Sequence, residues 1–144
     1  KMYDDVQKNI SIPVLHIADA TAQAIKEKKI STVALLGTRF TMEQEFYKGR
    51  LIDNHGINVL TPEGNDLDTV HNIIYNELVL GKIKDESREA YKQIIKKLET
   101  QGAQGVILGC TEIPLLIKQS DVDIPVFDTT TIHAEKTVEF AIKK

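Results

Sequence analysis

The sequence predicts an α/β protein with a doubly wound, mostly parallel sheet that carries helices on both faces. Two observations lead to this class. Short runs of apolar and β-branched residues alternate with segments of helical period, which is the order of strands and helices in a parallel sheet. The runs at 33–36 and 105–108 also lack polar alternation, as is typical of strands buried on both faces.

The individual elements follow from local patterns. Strands are predicted at 12–17, 32–36, 57–60, 105–108 and 124–127. Thr41 with Gln44 three residues later has the pattern of a capping box, so a helix is predicted from Thr41 to about Asp53. Further helices are predicted at 1–9, at 67–78 ending by Gly81, at 90–98 ending by Gly102, and from about 131 to 142.

Composition narrows the class of function. The 144 residues hold 18 basic and 21 acidic side chains, and no basic surface is interleaved with aromatics, so nucleic acid is not expected as a partner. No apolar run approaches the roughly 20 residues of a membrane span, and no signal peptide pattern is present. We therefore expect a cytoplasmic protein that does not enter a membrane.

The cysteine and histidines limit the chemistry further. A single cysteine excludes an internal disulfide and any multi-cysteine metal site. The four histidines show no metal-binding spacing, so no metal site is expected.

Ligands of a parallel α/β sheet bind beyond the carboxyl ends of its strands. Three turns occupy such positions in the predicted order, and they span residues 37–41, 109–112 and 128–131. The sequence therefore predicts that a binding site forms where these turns meet.

The second turn carries the most reactive side chain. Cys110 ends a buried strand and precedes Pro114, a residue tolerated in the first turn of a helix. We expect Cys110 at a helix N-terminus, with a pKa below that of a free thiol. Thr111 offers a hydroxyl and Glu112 a carboxylate for a substrate ammonium. A small, inert, buried cysteine is the alternative interpretation.

The stretch 105–117, GVILGCTEIPLLI, resembles the segment around the second catalytic cysteine of the Asp/Glu racemase family. Residues 33–38, 102–105 and 124–128 extend the resemblance along most of the chain. It implies one of the two similar halves of a racemase-like fold, with one cysteine in each half, an amino-acid substrate between them, and neither pyridoxal phosphate nor metal as cofactor. It also implies that Cys110 is catalytic and that Thr38, Thr111 and Glu112 bind substrate.

The resemblance also suggests a domain layout. Residues 1–30 are expected to end an N-terminal half and cross over, and residues 31–128 to form the C-terminal α/β domain with Cys110. Residues 129–144 are expected to form a terminal helix, for which packing on the missing half is one option. Because the chain starts with Lys1 in an uncapped polar helix, we expect that the N-terminal half, with its own cysteine, is missing and that the truncated chain is inactive alone.

Substrate class and rival functions stay open. Glutamate racemases carry histidine where this chain has Glu112, which favours an aspartate-type or broad-specificity racemase. An acidic substrate side chain could be bound by Arg39, Lys82 or Lys84. The alternative is that these side chains are simply solvated. The alternatives are a decarboxylase or isomerase of the same superfamily and a flavodoxin-like binding module with an inert Cys110. A homodimer is also left open.

Overall fold

The computed structural model describes residues 2–142. In chain order, the elements are α1 (Tyr3–Lys8), α2 (Ile17–Glu27), β1 (Thr32–Leu36), α3 (Arg39–Glu43), α4 (Glu45–His55), β2 (Asn58–Leu60), α5 (Gly64–Asn76), α6 (Asp85–Thr100), β3 (Val106–Leu108), α7 (Ile113–Leu116), β4 (Val126–Asp128) and α8 (Thr129–Ile142). Two short 3-10 turns lie at Leu78–Leu80 and Gln119–Asp121.

The four strands form one parallel sheet in the order β2-β1-β3-β4. Leu35 of β1 pairs with Ile107 of β3, and Ile107 pairs in turn with Phe127 of β4. Chain order and sheet order differ because the chain first moves outward to β2 and then crosses back past β1. This reversal is typical of a doubly wound sheet, and it confirms the predicted α/β class.

Each face of the sheet carries its own hydrophobic core. Ala34 and Leu36 of β1 join the core formed with α5, α6 and α7. Val33 and Leu35 of the same strand point the other way, into the core formed with α2 and α4. Successive side chains of a strand face opposite sides, so a strand apolar at every position must be covered by helices on both sides.

The strand predicted at 12–17 is wrong. Residues 11–15 form no regular structure, and Ile17 already begins α2. Pro13 lacks the N–H that a central strand needs. His16 accepts a hydrogen bond from the Ala18 N–H through Nδ1, at 3.1 Å, and so caps α2. The buried Ala18 and Ala22 are helix-favouring residues whose spacing marks the helix.

The capping box predicted at Thr41 is also wrong. Thr38 caps the helix, because its Oγ1 accepts from the Thr41 N–H at 3.4 Å and lies 3.2 Å from the Thr41 hydroxyl. The single helix expected through Asp53 is divided at Gln44, whose backbone is extended. Thr38 is followed by the polar Thr41 three residues later, and Thr41 is followed by Gln44 at the same spacing. The spacing therefore does not show which of the two threonines caps the helix.

The other helices agree with the sequence patterns. The stripe at 67–78 lies in α5 and the 3-10 turn that follows it, and Gly81 ends that turn with a positive φ of 70°. The stripe at 90–98 lies in α6, and α8 begins at Thr129, two residues before the predicted start. The parts of the terminal predictions that fall on residues 1 and 143–144 lie outside the described residues. Among residues 2–142, no helix is long and apolar enough to cross a bilayer.

Candidate functional site

The three predicted turns meet at the carboxyl edge of the sheet. The Gly109 N–H donates to the Leu36 carbonyl at 2.7 Å, which joins the ends of β3 and β1. The buried Thr129 hydroxyl donates to the Leu108 carbonyl at 3.0 Å, which joins the end of β3 to the start of α8. The turn that carries Cys110 therefore lies between the other two, as the parallel order predicts.

At Gly109 the Cys110 turn comes closest to the turn that follows β1. A Cβ on Gly109 would lie 3.1 Å from the Leu36 carbonyl oxygen and 3.3 Å from the Thr41 methyl carbon. These distances are tighter than ordinary contacts, and a backbone oxygen cannot move aside easily. Glycine thus lets the Cys110 turn lie directly against the turn that follows β1.

Cys110, Thr111 and Glu112 form one hydrogen-bonded group. The Cys110 thiol donates to Glu112 Oε2 across 2.9 Å, and the Thr111 hydroxyl donates to the same oxygen at 2.7 Å. Cys110 is partly buried, with its inner side against the core beneath α6 and α7. The structure therefore brings together three of the four residues predicted for the site.

The pKa of Cys110 corrects the expectation of an activated thiol. Burial raises the pKa of Cys110 to about 11, and the carboxylate of Glu112 adds to the increase. Helix α7 begins three residues after Cys110 and has only four residues, so its dipole is small. In the described chain, Cys110 is a protonated thiol at neutral pH. The expected lowering of its pKa is wrong.

Glu112 is the charged partner of this pair. Its pKa is lowered by the hydrogen bond from Cys110 first and by that from Thr111 next. Glu112 is therefore an anion that accepts two hydrogen bonds, and a carboxylate has lone pairs for further donors. A substrate ammonium is a chemically suitable third donor.

Thr38 lies in the neighbouring turn, where it caps α3. No hydrogen bond joins its side chain to Cys110, Thr111 or Glu112 within residues 2–142. The Arg39 N–H of the same helix donates to His71 Nδ1 on α5, at 3.2 Å. Thr38 therefore shares the edge with the Cys110 group, and its contact with a substrate stays a prediction.

Sequence reasoning missed two supports of the site. Tyr91 is fully buried, and its hydroxyl donates to the Val70 carbonyl at 3.0 Å. Burial is the main cause that raises the pKa of Tyr91, and a negative charge on the nearby Cys110 is the next. Asp128 accepts from the N–H of Thr130 at 3.0 Å and so caps α8. The Asp-Thr-Thr-Thr run after a strand was the available signal for this cap.

Two of the three cations considered as candidates for an acidic substrate side chain, Arg39 and Lys84, are paired with carboxylates. Arg39 pairs with Glu43 at 3.0 Å and with Asp68 of α5. Lys84 pairs with Glu77 at 3.0 Å, and Lys82 lies close enough to help lower the pKa of Glu77. Within the described part of the chain, no group of three or more His, Cys, Asp or Glu side chains has metal-binding geometry.

These features define a class of protein, a parallel α/β domain with a thiol–carboxylate pair at the carboxyl edge of its sheet. Comparison with known sequences identifies it further. Residues 1–137 match the model of the Asp/Glu/hydantoin racemase family, and the chain belongs to that family. The resemblance found in the sequence is thereby confirmed.

Two solved structures show the same fold. A candidate Asp/Glu racemase from Yersinia pestis is 54% identical with a TM-score of 0.94, and the match covers 97% of this chain and 61% of that chain. An aspartate racemase homologue from Pyrococcus horikoshii is 40% identical with a TM-score of 0.92, covering 99% of this chain and 62% of that chain.

The chain covers two sequence relatives to different extents. The broad specificity amino-acid racemase RacX of Bacillus subtilis is 24% identical, and the match covers 94% of this chain but 58% of RacX. An uncharacterised protein from the pnlA 3′ region of Pectobacterium carotovorum is 31% identical, with 96% of this chain and 91% of that protein covered. The chain therefore spans about three fifths of the two structural neighbours and of RacX.

Proposed function

We propose that this chain supplies one half of an amino-acid racemase that works without pyridoxal phosphate, and that Cys110 is one of its two catalytic thiols. Family membership supports racemisation in general. The observation that carries the particular role is the 2.9 Å hydrogen bond from the Cys110 thiol to Glu112, at the edge where three strand-end turns meet.

The proposed reaction is a proton exchange at the α-carbon. A thiolate from the other half removes the α-proton on one face, and the Cys110 thiol delivers its own proton to the opposite face, which leaves Cys110 as thiolate. In the reverse direction the Cys110 thiolate removes the proton and the other thiol delivers one. A Cys110 pKa of about 11 suits the acid role, because the thiol holds its proton at neutral pH.

Substrate binding would lower the pKa of Cys110, so that this residue could also act as the base. An amino-acid ammonium at Glu112 would neutralise the carboxylate that raises the pKa of Cys110. The same contact would compete for the oxygen that now accepts the thiol proton. Both effects lower the pKa of Cys110 when substrate is present. In this proposal Thr38 and Thr111 provide hydroxyls for the substrate carboxylate.

The partner in this proposal is an N-terminal half of the same fold. In the proposed layout, residues 1–30 lead into a C-terminal domain at 31–128, and the final helix packs on that half. The support is an exposed apolar stripe along α8, formed by Ala134, Val138, Ala141 and Ile142. These residues recur at helical spacing on one side of the helix, so the stripe is suited to packing against another apolar surface.

The raised thiol pKa also favours one rival, a binding module in which Cys110 is inert. A decarboxylase or isomerase that uses a resting thiolate is less compatible with a pKa of about 11. The two-thiol racemase needs a resting thiol in one of its two halves, and we therefore prefer it.

Three finer features belong to the same proposal. Glu112 supports an aspartate-type or broad substrate range, and a cytoplasmic location is proposed for the assembled enzyme. A homodimer is proposed from the exposed apolar side chains of Val79, Leu80 and Leu115. Light scattering on the purified protein measures the oligomeric state directly.

The test uses a protein that carries both halves. Cys110→Ala should abolish racemisation in both directions, since each direction needs one thiol as acid and the other as base. In D₂O the remaining thiolate should still exchange the α-proton of one enantiomer, which NMR measures. A Ser120→Ala variant, which changes an exposed side chain, is the control. Equal exchange of both enantiomers by the Cys110→Ala protein would exclude the two-thiol mechanism.

A further inference from the structure

The peptide unit between Leu108 and Gly109 is held from both sides. Its N–H donates to the Leu36 carbonyl at the end of β1, at 2.7 Å. Its carbonyl accepts from the Thr129 hydroxyl at the start of α8, at 3.0 Å. Strand β4 ends at Asp128, which pairs with Leu108, so the ladder between β3 and β4 stops at the residue before Thr129. The Thr129 side chain therefore bonds to the end of β3 at the point where this ladder stops.

Cys110 follows this peptide unit directly. On the other side of Cys110, the Ile113 N–H donates to the Cys110 carbonyl at 3.2 Å. A residue whose backbone is fixed before and after it has little freedom to move, so these contacts set where the thiol lies. Of the three contacts, the one from Thr129 is made by a side chain, which a substitution can remove without changing the backbone.

Thr129 is itself held in place. The residue is only 3% exposed. Asp128 accepts from the Thr130 N–H at 3.0 Å and from the Thr131 hydroxyl at 2.8 Å, which fixes the first turn of α8. The exposed Thr130 and Thr131 thus form the cap of α8, whereas Thr129 points inward to β3. Because the Thr129 hydroxyl is buried, water does not readily replace its bond to Leu108.

We propose that Thr129 is a positioning residue, whose hydroxyl fixes the peptide unit before Cys110 and so places the Cys110 thiol against Glu112. The inference rests on the proposed function, because it concerns the same thiol. Thr129 takes no part in the proton transfer, and its effect on the reaction passes through the position of Cys110. A reacting group must lie within a narrow distance and angle of its target, so a small displacement of the thiol costs much of the rate.

Thr129→Val removes the hydroxyl and keeps the branched shape of the side chain. Without that hydrogen bond the Cys110 turn should loosen, which moves the thiol out of the core and away from Glu112. Burial and that carboxylate raise the pKa of Cys110, so the pKa should fall and the thiolate fraction at pH 8 should rise by about three- to tenfold. The rate of alkylation by iodoacetamide in the 144-residue chain measures this fraction.

Three further variants show whether the hydroxyl itself is responsible. Thr129→Ser keeps the hydroxyl and should retain the alkylation rate of the unmodified chain. Thr21→Val is the matched control, because Thr21 is also buried and its hydroxyl donates to the Ile17 carbonyl at 2.8 Å, on the opposite face of the sheet. It should leave the alkylation rate unchanged. If Thr129→Val does not fold, Thr129→Ala removes the same hydroxyl without placing a methyl group against the Leu108 carbonyl.

Racemisation by a protein that carries both halves is the second measurement. Thr129→Val should lower kcat/KM in both directions by about tenfold, because the displaced thiol serves as acid in one direction and as base in the other. Thr129→Ser should restore kcat/KM to about the unmodified value. Thr21→Val should leave kcat/KM unchanged.

The possible failures are distinguishable. If folded Thr129→Val leaves the alkylation rate or kcat/KM unchanged, or if Thr129→Ser or Thr21→Val has an equal effect, the positioning inference is wrong while the racemase proposal stands. If the alkylation rates respond as expected but the unmodified protein with both halves racemises no amino acid, Thr129 still positions Cys110 and the racemase proposal is overturned.

Discussion

Cys110 and Glu112 show how one contact sets the chemistry of a site. The thiol donates to the Glu112 carboxylate, and burial together with that carboxylate raises the pKa of Cys110 to about 11, against the opposite effect of the Glu112 and Thr111 backbone N–H groups. The residue therefore holds a proton that it can deliver. Activation as a base then depends on what neutralises Glu112.

Alkylation by iodoacetamide tests this pKa. The rate for Cys110 should rise steadily between pH 7 and pH 10 without levelling off, because only the thiolate reacts and its fraction keeps growing below a pKa of about 11. Glu112→Gln should increase the thiolate fraction at pH 8 by about tenfold, since the carboxylate is one cause of the raised pKa while burial remains.

Glu63→Gln is the control for this measurement, since it removes an exposed carboxylate at the start of α5. A rate that reaches its plateau below pH 8.5 in the unmodified chain would show an activated thiol instead.

Asp19 carries a second residue-scale prediction. It accepts from Nε and Nη2 of Arg50, at 2.7 and 2.8 Å, and pairs with His55 at 2.8 Å. The hydrogen bond from Arg50 is the main cause that lowers the pKa of Asp19 from 3.8 to about 2. A lowered carboxyl pKa stabilises the fold above pH 4, and this stabilisation is lost as the pH falls toward 2.

Asp19→Asn should therefore lower the free energy of unfolding by about 1 kcal/mol at pH 7, a value reduced for the solvent screening of a partly exposed pair. The difference from the unmodified chain should shrink between pH 4 and pH 2. Urea unfolding at several pH values measures it. Asp53→Asn on α4, which removes a carboxylate outside the described ion pairs, should have little effect; an equal loss in both variants would contradict the assignment.

Elements that depend on periodicity were predictable, while elements that depend on one local contact were not. The stripes of α5 and α6 repeat over several turns, and each apolar residue adds the same information. The start of α2 depends on the ring orientation of His16, and the start of α3 depends on which of Thr38 and Thr41 caps it. Spacing cannot decide such contacts.

The candidate site divides in the same way. The meeting of the three turns follows from parallel strand order, and the sequence predicted it. The sequence interpretation placed backbone donors beside the Cys110 thiol, and the N–H groups of Glu112 and Thr111 do act to lower its pKa. Burial and the Glu112 carboxylate outweigh them, and the burial of one side chain cannot be read from residue spacing.

Two glycines give an element-scale prediction. Gly109→Ala should lower the free energy of unfolding by about 1–3 kcal/mol, because its Cβ would press on the Leu36 carbonyl at 3.1 Å. Gly49→Ala within α4 should be neutral or stabilise by up to about 1 kcal/mol, because the tightest contact of its Cβ, at 2.8 Å, is with the flexible end of Glu45, the Glu45 Cβ lies at 3.3 Å, and alanine favours a helix. Thermal unfolding compares them, and equal losses would refute the distinction.

At the scale of the whole molecule, two complete hydrophobic cores surround a sheet whose edge offers one thiol. Helices cover both faces of the sheet within residues 2–142, whereas the proposed reaction needs a second proton donor on the far side of the substrate. We therefore expect the 144-residue chain to fold as a half-site, with folding separable from the proposed catalysis.

That separation leads to a prediction about the isolated chain. Its one thiol reaches one face of the α-carbon, so the purified 144-residue protein should fold but should not interconvert L- and D-asparagine or L- and D-aspartate. In D₂O it should exchange the α-proton of one enantiomer at most, with retention.

The Cys110→Ala chain, prepared identically, is the control, since any activity left in it comes from another protein. Polarimetry and NMR of the α-proton measure both reactions. The contrary result is sustained racemisation in both directions by the unmodified chain but not by the Cys110→Ala chain. It would mean that a single thiol with some second base within these residues suffices, and the need for another half would be refuted.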